Sequence, residues 1–306
     1  MKIKLIIFVI FFCLFIFSGC SIKSIALNAV GDALSEGGSI FTSDNDPDLI
    51  KDALPFALKF NESVLDGVPE HKGLILAISK TFCMYSYAFV QIEAEKTDKE
   101  DYGKAKHLRH RAYLLYIRAR DYALKGLELN HKGFSELIKK DLKNAMAMTN
   151  KEDVGLLYWC GASWVAALTV AKDNVELIAE LPIGVAMVNR VLELDESFDD
   201  GSAHEFFISY DGSRSEAMGG SEKKAREHFK RAVELSKGEK IGPYISLATS
   251  VCIMKQDINE FKNLLNQALS IDVNKNPKSR LANIIMQRRA KWLLDNIDDY
   301  FLEGKE

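Results

Sequence analysis

The chain predicts an all-α fold, an irregular helical-repeat bundle of about eleven to twelve helices. Three observations predict it. Apolar residues recur at three- and four-residue steps over most of the chain, and no run alternates with period two. Helix starts are written out twice, as Asp46-Pro47 and Asn276-Pro277, with an acceptor at the N-cap and proline at the first helical position. One helix-length pattern, A-x3-F-x2-A-L-x-L, echoes along the chain. Ala225, Phe229, Ala232, Val233 and Leu235 fit it, and Phe261, Leu265, Ala268, Leu269 and Ile271 fit more loosely. Gly184, Val188, Val191, Leu192 and Leu194, and Ala119, Ala123, Gly126, Leu127 and Leu129, are weaker echoes. This is the second-helix pattern of a tetratricopeptide-like repeat, whose hairpins hide their apolar faces by stacking on the next.

In chain order, the first segment is a targeting signal. Lys2 and Lys4 precede an unbroken apolar run from Leu5 to Phe17, shorter than the roughly 20 residues a spanning helix needs and suited to a signal core. The box Phe17-Ser18-Gly19-Cys20 resembles that of a bacterial lipoprotein, which implies a signal peptide over 1–19 and lipidation, palmitate included, at Cys20. More than one acyl chain on Cys20 would hold the protein firmly on a membrane. The expected site is the periplasmic face of a bacterial membrane, inner or outer. Residues 20–45 then carry a short amphipathic helix (Ile22, Ile25, Ala26, Ala29, Val30, Ala33, Leu34), stopped by Gly37-Gly38 and expected to pack on the main domain. Residues 46–306 read as one helical-repeat domain. Within it Ala105, Leu108, Ala112, Leu115, Ala119, Tyr122 and Gly126 form a seam facing another helix, and the last helix runs to about Tyr300.

Formal net charge is −3, and removing residues 1–19 leaves 38 basic against 43 acidic residues, which excludes sequence-independent nucleic-acid binding. Cys83, Cys160 and Cys252 sit in apolar contexts with no metal or disulfide spacing and are expected in the core.

A longer resemblance emerges from ordered motifs: "ALPFALKFNESVL", "YAFVQIEAE", "YLLYIRARDYALKGLELN", "LLYWCGASWVAAL", "LDESFDDGSAHEFF", "AREHFKRAVELSKGEKIGPYISLATSV", "INEFKNLLNQALSID" and "NPKSRLANIIMQRRAKWLLDNIDDYF". Together with the lipobox, they resemble the TatT family from Cys20 to Phe301. This is the tetratricopeptide-like lipoprotein (T) component associated with tripartite ATP-independent periplasmic (TRAP) transporters. The resemblance implies an all-helical periplasmic lipoprotein that partners the solute-binding (P) component of such a transporter. It brings no catalytic residues and no cofactor.

The stretch Leu194–Phe207, "LDESFDDGSAHEFF", gathers five acids and a histidine. A calcium loop centred on Gly201 puts Phe198 at a ligand position and Phe207 where the closing Glu belongs, and the second His of an H-E-x-x-H zinc site is replaced by Ile208. The reading is a turn at Asp200-Gly201 followed by a helix capped by Ser202 with Glu205 as a capping box, and no metal. His204 and Glu205 stay as candidate ligand contacts. In "YWCGASW", Ser163 holds the place where a papain-like protease has its nucleophile. The small residues suit a close helix crossing, and Tyr158, Trp159 and Trp164 either fill core or line an apolar ligand cavity. "KAKHLRHRAYLLYIRAR" reads as a solvated basic face. Arg280, Arg288 and Arg289 on the last helix are candidate contacts for a partner or an organic anion. "GGSEKKA" lacks the phosphate-loop pattern, and Ser221 there reads as an N-cap.

The reading is a binding protein, not an enzyme: a membrane-anchored lipoprotein that docks a solute-binding protein and holds or passes a small hydrophobic or organic-acid solute. The alternative is a generic tetratricopeptide envelope scaffold. A third class, a hydrolase using Asp199 and Glu205, would need two carboxyls converging about 5–10 Å apart in an open cleft. Self-association into a ring is compatible with the pattern.

Overall fold

In the computed structural model, residues 19–302 are described. The signal segment falls outside them, apart from Gly19, and so does the side chain of Cys20. The described residues form thirteen helices and no strand. They are α1 Gly19–Glu36, α2 Pro47–Gly67, α3 Lys72–Thr97, α4 Tyr102–Asn130, α5 Phe134–Lys140, α6 Leu142–Met148 and α7 Val154–Val170. There follow α8 Val175–Asp195, α9 Ser202–Gly212, α10 Glu222–Leu235, α11 over 242–255, α12 Ile258–Ser270 and α13 Arg280–Asp295.

The capping signals do what their chemistry requires. The Asp46 carboxylate accepts from the backbone N–H groups of Asp48 and Leu49, and Ser221 accepts from Lys224 N. Asn276 caps a 3-10 turn, Pro277–Ser279, that leads into α13. The count exceeds expectation because Asp141 both ends α5 and caps α6, splitting one polar stretch into two two-turn helices. Gly37-Gly38 interrupts the first helix less than expected, since a helical turn resumes over Gly38–Thr42. The last helix is shorter than expected: it ends at Asp295, and a 3-10 turn covers Ile297–Asp299.

Neighbours in sequence are neighbours in space. The stack runs α2, α3, α4, α7, α8, and then α9, α10, α11, α12 and α13. On α4, Ala105, Ala112, Ala119 and Ala123 are fully buried. Their small side chains bring α3 close enough for Ser79 Oγ to donate to Ala119 O at 2.8 Å and Ser86 Oγ to Ala112 O at 2.9 Å. Ser86 also opens a π turn, Ser86–Gln91, inside α3. Cys83, Cys160 and Cys252 are buried free thiols, as expected, and burial pushes those of Cys83 and Cys252 up to about 12. Two segments, Lys72–Thr97 and Lys151–Val170, are long and apolar enough to cross a membrane, but both lie mid-stack with about half their residues covered by neighbours. α1 packs through Leu27 on Gly67 and through Gly31 on His71, while Ile22, Ile25 and Val30 stay exposed.

α13 turns the stack back on its beginning. It touches the turn at Gly38–Thr42 and α2. Arg280 donates to Ser43 O at 2.9 Å, and Arg288 pairs with Asp48 at 3.1 Å. Arg289 reaches the Tyr87 hydroxyl at 2.7 Å and Glu95 at 2.8 Å.

Two contrasts test this packing by denaturant unfolding. A Cβ at Gly161 would lie 2.5 Å from Gly184 O across the α7–α8 crossing, so Gly161→Ala should cost about 1–3 kcal/mol. Gly38→Ala meets nothing within 4 Å and should stay within about 0.5 kcal/mol of wild type. Arg289→Met should cost roughly 3 kcal/mol, because its side chain is only 11% exposed and it leaves Glu95 and Tyr87 unmatched. Arg288→Met breaks a pair that is 51% and 75% exposed and should cost under about 1 kcal/mol.

Candidate functional site

α7 and α9 meet at the turn that the acid-rich stretch forms. The Tyr158 ring stands edge-on to Trp159 at 4.9 Å and tilts against Phe198 at 5.4 Å, while its hydroxyl donates weakly to Ser202 O at 3.4 Å. Lys80 from α3 sits 5.7 Å over the Trp159 ring.

The turn itself is strained. Asp199, Asp200 and Gly201 are three successive left-handed residues, at φ 46°, 54° and 87°. Aspartate tolerates that region better than most side chains, and glycine does so freely. Lys240 clamps the turn from across the fold: its ammonium donates to Asp199 O, to Asp199 Oδ2 at 3.1 Å and to Ser202 Oγ at 3.0 Å. Ser202 Oγ in turn donates to Asp199, with O at 2.9 Å and Oδ2 at 2.7 Å. The expected capping box therefore does not form. The N-cap of α9 is Gly201, without a side-chain bond, because Ser202 is spent on the turn.

These contacts set two carboxyls apart. Burial alone would raise the Asp199 carboxyl, but the Lys240 ammonium and the Ser202 hydroxyl more than reverse it and hold it below the usual carboxylate range. Burial pushes the Glu205 carboxyl up; Lys240 opposes that and the Asp199 charge adds to it. No hydrogen bond relieves Glu205 among the described residues. Its carboxylate lies against Gly242, where a Cβ would fall 2.0 Å from Oε1.

Tyr87, Tyr158 and Glu205 each keep some accessible surface. Even so, desolvation is the largest influence on all three, and the charge of Glu205 raises both tyrosines. Tyr87, Tyr158, Asp199 and Glu205 thus form one polar cluster, each close enough to its neighbours to feel their charge. The Tyr87 end of it is fixed by Arg289, and the Asp199 end by Lys240.

The other candidates turn elsewhere. Trp164 is 3% exposed; its indole donates to Glu180 at 3.0 Å and Arg120 covers its ring at 4.9 Å, in the seam between α7 and α8. His204, next to Glu205, points to α10 instead, where its Nδ1 lies 2.8 Å from Nδ1 of His228. Arg280, Arg288 and Arg289, read from the sequence as contacts for a partner or anion, are engaged inside the chain. Among the described residues no group of His, Cys, Asp or Glu could hold a metal.

Sequence reasoning missed Lys240, Tyr87 and His228, whose roles come from partners 24 to 202 residues away. It also missed a cleft of about 350 Å³ between the ends of α3 and α13, lined by Glu95, Lys96, Lys99, Trp292, Asp299 and Tyr300. A Lys99–Asp299 ion pair bridges its two sides. Only the charge run "EKTDKED" hints at it.

The Glu205 environment yields a signed prediction. A carboxyl whose folded pKa is raised destabilises the fold when ionised; its favourable contribution is complete below about 4.5 and is lost as pH rises through the folded value. Glu205→Gln should therefore raise the Tm at pH 8, with the gain over wild type shrinking toward zero as the pH is lowered to 4.

Comparison with known proteins places this geometry in a family. The chain is 29% identical over 304 residues to an uncharacterized protein of Treponema pallidum (strain Nichols), covering 94% of each chain. Residues 43–301 match the family described as TRAP transporter T-component, a span that takes in α2 to α13 and every residue of this cluster. The chain belongs to the TRAP transporter T-component family.

Proposed function

We propose that this TRAP transporter accessory protein is a lipid-anchored periplasmic lipoprotein, held at Cys20, that docks the solute-binding (P) component and receives a small amphipathic solute at the cluster between Tyr87 and Asp199. The observation that carries the reading is Glu205: a crowded carboxyl, accessible but without a hydrogen-bond partner among the described residues, whose charge acts on Tyr87 and on Tyr158, itself packed on Trp159 and Phe198. A fold that had no occupant for such a site would gain by burying an apolar side chain there. An aromatic wall with a few polar groups is the usual make-up of a small-molecule site.

The same two carboxyls bear on the enzyme reading. Asp199 commits Oδ2 to Lys240 and Ser202, contacts that lock the turn in place. The geometry favours holding a solute over transforming one.

The membrane-purified chain, titrated with a TRAP-transporter solute-binding protein from the same organism, tests the proposal by calorimetry, with native mass spectrometry for stoichiometry. A saturable complex of about micromolar affinity or tighter is expected. No complex, with or without candidate organic acids, would leave the chain as an envelope scaffold.

A further inference from the structure

The imidazoles of His204 on α9 and His228 on α10 meet through their Nδ1 atoms at 2.8 Å, a hydrogen-bond distance. Such a contact needs one nitrogen to carry a proton and the other a lone pair. The surroundings fix which. His204 Nε2 faces Glu196 at 3.4 Å, so its proton sits there, and His204 Nδ1 is the acceptor. His228 Nδ1 is then the donor, and its bare Nε2 looks toward Asp211 at 3.9 Å.

This arrangement can take one more proton, on His228 Nε2. A second must go on His204 Nδ1, and that sets two N–H groups against each other at a distance neither can keep. We propose that the His204–His228 contact is an acid-sensitive latch, which holds the α9–α10 hairpin together near neutral pH and lets it open when both imidazoles are protonated. The hairpin also carries Glu205, so opening it moves that carboxyl away from Gly242.

The groups facing the pair come from every element packed on it. On the turn after α8, Glu196 is held by Arg231 of α10. Asp211 at the end of α9 pairs with Arg214 at 3.5 Å, and Lys224 and Glu227 of α10 act on His228. The 248–252 segment on the far side of α9 presents Ser250, which does not titrate. Burial resists charging both rings; it lowers His204 and, with the charge of His204, takes His228 to about 4. The sign follows. A histidine depressed in the folded state stabilises the fold above the ordinary value near 6.5, and that stability drains away as the pH falls toward 4.

Hydrogen–deuterium exchange of the membrane-purified chain at pH 7 and pH 5, corrected for intrinsic rates, tests the latch. Each imidazole that gains its proton only on opening should multiply the opening equilibrium roughly 25-fold over that interval. The expected result is a selective loss of protection in 202–212 and 222–235, with α3, α4 and α7 unchanged. His228→Gln and His204→Gln should each flatten that pH dependence, and native mass spectrometry at pH 7 would confirm that the variants are folded. Equal protection at both pH values in wild type would overturn the proposal, as would a pH-dependent opening that survives unchanged in both variants. Because exchange is read without partner or solute, this result stands apart from whether the P component binds.

Discussion

The Arg289 guanidinium, wedged between the Tyr87 hydroxyl and the Glu95 carboxylate, is the constraint on which the interior depends. A helical-repeat stack has two free ends, and each unit touches only its neighbours. Here the last helix reaches back 202 residues to the π turn of α3. A buried cation is costly unless it is matched. Closure therefore supplies the partners that make Arg289 tolerable, and Arg289 supplies the tie that keeps the stack closed. Its guanidinium is held above its ordinary range: burial works against the charge, and Tyr87 and Glu95 outweigh it.

A second long-range tie holds the turn before α9, where Asp199 keeps 43% of its side chain accessible and is fixed by hydrogen bonds rather than by burial. The turn that presents it holds two non-glycine residues in the left-handed region, at a cost of about 1–3 kcal/mol each. Strain of that size persists only where neighbours over-determine the geometry, and Lys240 and Ser202 do so with four contacts on one aspartate. The result is one carboxyl held toward its anion and another, Glu205, pushed toward its neutral form close by.

How much of this was legible in the sequence follows from the range of the interactions. Asp46, Ser221 and Asn276 cap their helices through neighbours two or three residues away, so their signatures read correctly. The small positions of α10 also read as buried, since Ala225 and Ala232 are covered by neighbours. Ser202 misled for the opposite reason: a capping box is a local pattern, but a lysine 38 residues on competes for the hydroxyl and wins. The arginine trio of α13 read as a free cationic cluster, since nothing nearby shows that Ser43, Asp48, Tyr87 and Glu95 await it. Family and fold class were open to the sequence; the cluster around Glu205 was not, because its two ends are made by long-range ties.

α9 shows why those ties matter for function. It is a helix of 11 residues, too short to be stable alone, and it starts at a glycine with no side-chain cap. Its position is thus set by what it packs on. Successive residues project to different sides, His204 to α10 and Glu205 to Gly242. On a helix, adjacent side chains diverge by about 100° and cannot share a partner. They do share a rigid backbone, so a displacement forced at His204 must move Glu205. Gly242 leaves no slack to absorb that motion, since the Glu205 carboxylate already occupies the space a side chain would take. The shortness of α9 and the bareness of Gly242 together make one helix the mechanical link between the titrating face of the fold and its interior.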